Sequence, residues 1–226
     1  MHTFIEPIYT AFKKEADEKN APGMKAYMLN QFDFFGIKTP IRDAIVKAYL
    51  KSNNLSSASE LELVVKELWE LPEREMQYFA IDVFQAHKKL WTKSSIKLIE
   101  HCIIHKSWWD SVDGIASEWL GAYFKQFNEQ TILITSHWNK SNNIWLQRSS
   151  ILFQKSYKKT TDTALLSSHI LHCKDSKEFF IRKAIGWALR EYSKTNPEWV
   201  IQFVAKNKLS ALSEKEALKR IVSNPK

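Results

Sequence analysis

Apolar residues along this chain recur at the three- and four-residue intervals of an amphipathic helix, and almost no stretch alternates as a half-buried strand does. The pattern predicts helices near residues 3–19, 40–52, 57–71, 73–89, 93–105, 107–125, 129–138, 143–158, 162–172, 176–194, 197–207 and 213–222. Start signals support them. Pro40, Pro72 and Pro197 suit first-turn positions, where the missing N–H is no loss, and Ser107–Asp110 and Ser213–Glu216 have capping-box spacing. The segment 21–39, with Pro22, Gly23 and Gly36, is the least regular.

Short connections pair the helices, and the second members begin near 73, 107, 143, 177 and 213. An interval of about 35 residues lies within the range of helical-repeat arrays. The expected fold is therefore all-α: a HEAT-like helical-repeat solenoid (an α-α superhelix) whose second helices line a concave, basic face. No composition break marks a second domain. Residues 1–226 read as one repeat domain, with an N-terminal helical cap over 1–55 and about five helix pairs over 56–226.

Composition narrows the function. Hydrophobic residues make up 44% of the 226, enough for a sizeable core, while five glycines and six prolines exclude a turn-rich or disordered chain. No glycine-rich phosphate fingerprint is present, so no nucleotide cofactor, and no cofactor of any kind, is expected. Net charge is +8 and unevenly spread. Residues 1–113 hold 15 Lys and Arg against 16 Asp and Glu, whereas residues 114–226 hold 18 against 9. An excess confined to the second half suits a surface that meets a polyanion. Cys102 and Cys173 lack C-x-x-C spacing and read as buried thiols of a reducing compartment. Charge comes too early at the N-terminus for a signal peptide, and no apolar run approaches the ~20 residues of a membrane span. A soluble, cytoplasmic protein without membrane partners is expected.

Chemistry-bearing residues stand out on two helix flanks. The apolar face of 107–124 runs through Val112, Ile115, Ala116, Trp119 and Tyr123; Trp109 falls at its margin and Asp113 just outside it. The core face of 176–194 runs through Phe180, Ile181, Ala184, Ile185, Ala188 and Leu189, leaving Trp187 on the flank in line with Lys183 and Arg190. An indole beside cations can stack on a sugar or base while the cations hold phosphates. Arg148 and Lys155 share a flank stripe of 143–158 in the same way. Wheels drawn helix by helix put Asp113 and Trp187 on opposite flanks, so their convergence depends on stacking. Trp69, Trp119 and Trp145 sit among apolar neighbours and read as core. His101 and His105 lack the glutamate of H-E-x-x-H, and His169 and Cys173 lack further ligands, so no metal site is expected.

Five blocks carry a family resemblance over nearly the whole chain: AYMLNQFDFFGIKTPIRD (26–43), LPEREMQYFAIDVF (71–84), KSWWDSVDGIA (106–116), SNNIWLQRSSILFQ (141–154) and SKEFFIRKAIGWALREYSKTNPEW (176–199). In this order they resemble the AlkD-like family of bacterial DNA alkylation repair glycosylases, which are built from HEAT-like repeats. The resemblance implies a catalytic constellation of Trp109, Asp113 and Trp187 supported by Arg148, and a region around Tyr27, Lys38 and Thr39 that approaches the strand opposite the lesion. Lys38 stands where some members carry glutamine. Lys155, Lys183 and Arg190 join Arg148 as expected DNA contacts.

What the resemblance implies chemically is a monofunctional DNA glycosylase, acting in base excision repair on duplex DNA that carries N3- or N7-alkylated, cationic purines. A base that already bears positive charge needs no protonation to leave. Asp113 would stabilise the positive charge developing on the sugar and position water; Arg148 would anchor a phosphate and orient Asp113. A monomer, associated with the nucleoid through DNA, is expected. Two rivals use the same architecture: a non-catalytic, structure-specific DNA-binding repeat protein, and a protein–protein scaffold.

Overall fold

The structure, a computed structural model, describes residues 1–223. The last positions of the expected repeat array, 224–226, lie outside the described residues. It is all-helical, and its helices fall into two compact units, Met1–Leu98 and Ile99 onward.

In the first unit α1 (Glu6–Lys14), α2 (Ala21–Tyr27), α3 (Thr39–Ser52), α4 (Ala58–Glu70) and α5 (Arg74–Ala86) follow in order, and α6 (Ser95–Ile104) carries the chain across the boundary. Helix α3 packs on both α1 and α5, and α4 packs on α5. Phe79 of α5 anchors this core, its ring edge-on to Phe12 at 6.2 Å and to Tyr49 at 6.0 Å. The first helix is shorter than its periodicity suggests, 6–14 against 3–19. The irregular segment contains α2, a seven-residue helix with Pro22 in its first turn. The loop after it is held by the buried carboxylate of Glu75, which accepts from the backbone N–H groups of Phe35, Gly36 and Ile37. Gly36 has φ +86°, and a Cβ there would sit 2.2 Å from the Asp17 carbonyl oxygen, so only glycine fits.

After the last part of α6, the second unit continues with one helical run that changes pitch: α7 (Trp109–Gly114), a π-helical turn (Ile115–Leu120) and α8 (Gly121–Gln126). It continues with α9 (Thr131–Asn139), α10 (Ile144–Leu152), α11 (Thr163–Cys173), α12 (Phe179–Tyr192), α13 (Pro197–Lys206) and α14 (Ala211–Ser223). The α7–π run, α10, α12 and α14 pack on one another in succession, while α9 and α11 pack together behind α10. Helix-repeat order thus stacks every second helix of this unit into one layer. Most predicted core positions fill it: Val112, Ile115, Ala116, Trp119, Tyr123, Ile181, Ala184, Ile185 and Leu189 are fully buried and Ala188 is buried, whereas Phe180 is only half-buried.

Caps fix where the helices begin. Asn143 accepts from the N–H groups of Trp145 and Leu146, Asp162 from Leu165 and Asn196 from Trp199; each such cap is worth about 1 kcal/mol. The two expected capping boxes do not form. Ser107 donates its hydroxyl to the Ile103 carbonyl, and α14 starts earlier, with Ser210 accepting from the Ser213 N–H. Glu216 is drawn away by neighbouring cations and Ser213 donates to the Arg182 carbonyl. Pro72 precedes α5 rather than entering its first turn. Helix α10 ends at Leu152, not 158, because both ends of the Gln154 side-chain amide bind the Asp162 backbone and bend the chain into a turn.

Candidate active site

Asp113 lies one residue before the end of α7, immediately ahead of the π turn. The Ser117 hydroxyl donates to its backbone carbonyl at 2.7 Å, so the pitch change is anchored beside the candidate carboxylate. A π turn inserted in an α-helix redirects the side chains that follow it and recurs at functional sites.

Arg148 of α10 reaches this carboxylate from the next helix of the layer, 35 residues further on. Its Nε and Nη2 donate to Oδ1 at 2.6 Å and Oδ2 at 2.7 Å, a bidentate pair. The third donor, Nη1, is taken by the Phe180 carbonyl. The arginine is 1% exposed and the Asp113 side chain 16%. Of the two roles implied for Arg148, orienting Asp113 therefore has a geometric basis, whereas anchoring a phosphate finds its donors buried and engaged. The Phe180 ring belongs to an aromatic cluster with Trp108 and Trp145, centroids 5.0–5.8 Å apart, which backs the arginine. Trp145 is half-buried there rather than deep in the core, where Trp69 and Trp119 are fully enclosed.

Trp187 joins Asp113 through the same guanidinium. The Arg148 carbon Cζ stands 5.2 Å from the centroid of the Trp187 ring, and Lys183 Nζ and Arg190 Cζ stand 5.2 and 5.9 Å from it. The opposite flanks of the two helices converge because Arg148 projects between them. Trp187 is half-buried. Trp109, also half-buried, begins α7 one helical turn ahead of Asp113, on the same face of that helix.

Glu216 of α14, expected from its spacing only as half of a capping box, completes the group. Its Oε1 pairs with Lys183 Nζ at 2.6 Å and its Oε2 with Arg190 Nη1 at 2.9 Å. The hydrogen bond from Lys183, reinforced by the charges of Lys183, Arg190 and Lys219, holds its carboxyl below the usual carboxylate range against the effect of burial. Gly186 makes the approach possible: a Cβ there would lie 2.5 Å from Glu216 Cβ and 2.9 Å from the Ser213 carbonyl oxygen. A glycine directly before Trp187 was the available signal that another helix comes close.

The remaining expected contacts lie elsewhere. With α10 ended, Lys155 is off the helix and no longer in register with Arg148; it borders a cavity of about 160 Å³ together with Lys158 and Lys194. Tyr27, Lys38 and Thr39 belong to the first unit, where they border a groove of about 410 Å³ with Arg42, Tyr78 and the buried Glu75. Tyr27 is 69% exposed, and Lys38 and Thr39, at the start of α3, are exposed. His101 and His105 stack ring on ring at 4.1 Å. Among the described residues no group of three or more His, Cys, Asp or Glu side chains could hold a metal ion, and no helix is long and apolar enough to cross a membrane.

A layer of repeat helices that presents a clamped carboxylate beside a cation-flanked indole defines a class: a helical-repeat protein with an open, charged site. The sequence profile of the DNA alkylation repair enzyme family matches residues 8–221, and the chain belongs to that family. Its fold is shared with the solved structure of a predicted DNA alkylation repair enzyme from Enterococcus faecalis, at 32% identity and a TM-score of 0.86, over 93% of this chain and 98% of that one. No curated protein matches significantly. Membership implies an enzyme whose substrate is DNA.

Proposed function

We propose that this protein is a monofunctional DNA glycosylase that hydrolyses the N-glycosidic bond of cationic N3- or N7-alkylated purines in duplex DNA. The observation that carries the reading is the Asp113–Arg148–Trp187 contact, a carboxylate held in one orientation next to an aromatic face. Phosphate binding alone would need no such carboxylate.

The chemistry is a substitution at the sugar. The bond between C1′ and the purine nitrogen breaks, its electron pair goes to the base, and the cationic purine leaves neutral without an acid. Positive charge grows on the deoxyribose as the bond lengthens; Asp113 stabilises it and positions the water whose oxygen bonds to C1′. The proton released from that water passes through the Asp113 carboxylate to solvent. Trp109 and Trp187 offer their electron-rich faces to the sugar and base. Arg148 fixes Asp113; Lys183, Arg190 and Lys155 meet the backbone on one side, and Tyr27, Lys38 and Thr39 meet the opposite strand. The protein works as a monomer in the cytoplasm, at the nucleoid, and needs no cofactor.

The test is base release from a duplex with one N7-methylguanine under single-turnover conditions. Wild type should release the base, and Asp113→Asn should be slower by about a hundredfold, the equivalent of ~3 kcal/mol, with DNA binding retained. Absence of release by wild type, with salt-sensitive DNA binding intact, would replace this reading by that of a silent DNA binder.

A further inference from the structure

The charges around Trp187 pose a problem for a site that accepts a cationic base. The Arg148–Asp113 pair is neutral as a unit, but Lys183 and Arg190 bring two positive charges within 6 Å of the ring. Unopposed, they would repel both the alkylated purine and the positive charge of the transition state. Glu216 cancels one of them, and it takes hold of both cations at once, one through each carboxylate oxygen. It does so from a protected position, its side chain 14% exposed, on a helix that comes within reach because residue 186 is glycine.

We propose that Glu216 is a positioning residue that pins Lys183 and Arg190 beside Trp187 and cancels one of their two positive charges, so that a cationic purine is less strongly repelled from the indole. The assignment rests on the glycosylase reading above. It gives α14 a part in the site and makes Glu216 a determinant of the substrate's charge rather than of its shape. The same clamp weakens DNA binding without abolishing it, because Glu216 competes with the backbone phosphate for Lys183 and Arg190.

This predicts that rate and affinity move in opposite directions. Glu216→Gln keeps the shape and removes the charge. At saturating enzyme it should release N7-methylguanine on the order of tenfold more slowly, as expected for one unit charge lost beside the reacting centre. It should nonetheless bind an unmodified duplex about threefold more tightly at low salt, with the slope of log affinity against log salt steeper by about one. Glu216→Asp keeps the charge and changes the reach, and should stay within about threefold of wild type in both measurements. A residue that only held α14 in place would give lower rate and weaker binding together, and the isosteric Gln would be the milder variant. Either that pattern or an unchanged rate in Glu216→Gln overturns the proposal. Wild-type protein that releases no base fails before any variant is compared, which separates loss of the glycosylase reading from loss of this one.

Discussion

Arg148 donates to both carboxylate oxygens of Asp113, at 2.6 and 2.7 Å, from the helix one repeat further along the chain. The pair works as a unit because, among the described residues, neither partner has a second ion pair: Arg148 is buried, its Nη1 donates to a backbone carbonyl, and its guanidinium lies over the rings of Phe180 and Trp187. Breaking such a pair from one side leaves an uncompensated charge in a poorly solvated site, which typically costs 3–5 kcal/mol.

Arg148→Met should accordingly lower both melting temperature and base release, while adding Asp113→Asn to it should recover part of the stability and none of the activity. Thermal melts of the two single variants and the double variant read the coupling, expected at about 2 kcal/mol or more. Additive losses would show that the bidentate geometry carries no energy. Arg148→Lys should resemble Met in rate more than wild type, since an ammonium cannot make the planar fork.

Trp187 should matter through its ring rather than its volume. Trp187→Phe retains an aromatic face of weaker quadrupole, whereas Trp187→Leu has none. With cation–π contacts worth about 0.5–2 kcal/mol, single-turnover release of N7-methylguanine should fall about threefold in the first and about tenfold in the second. Equal rates in the two variants would assign Trp187 a packing role.

Much of this was legible in the chain, and the gaps have physical causes. The core faces of 107–124 and 176–194 were readable because burial imposes a period that survives even the π turn. The recurrence of second helices every 35 residues or so gave the layer in which Asp113 and Arg148 are neighbours. Their convergence with Trp187 was not readable, since it depends on Arg148 projecting between helices, a tertiary fact that no single-helix wheel contains. Glu216 was misread for a related reason. Its spacing from Ser213 mimics a capping box, but two cations on α12 outcompete a backbone N–H. The short α2 was hidden by Pro22 and Gly23, which read as loop residues while a first turn tolerates both.

Gly186→Ala tests the approach of α14 directly. The added methyl would meet Glu216 Cβ at 2.5 Å and a backbone oxygen at 2.9 Å, so the helices must part. Overpacking of this kind costs about 1–3 kcal/mol, or roughly 2–12 °C in melting temperature for a chain of this size. The Glu216 contacts should loosen with it, so DNA binding should become more salt-dependent. A melting temperature equal to that of wild type would mean that α14 is not seated as described.

The last expectation concerns acid. His169 of α11 is 2% exposed, its Nε2 2.9 Å from the Thr135 hydroxyl, in a polar network that Asn139 extends to Ser150 and Cys173. Burial, aided by the nearby His172 and opposed by Asp162, pushes its pKa down to about 4, whereas an unfolded histidine titrates near 6.5. Because the folded value is the lower one, the unfolded chain takes up this proton first. The stability linked to His169 is therefore complete above about pH 6.5, declines as pH falls towards 4, and levels off below that. The full difference is about 3 kcal/mol, or roughly 6–12 °C. Carboxylates titrate in the lower part of the same window, so the comparison must be with a variant that lacks only this group. His169→Gln should start less stable at neutral pH and show a shallower decline between pH 6.5 and 4. Parallel curves for the two proteins would place the acid sensitivity elsewhere and leave His169 an ordinary buried side chain.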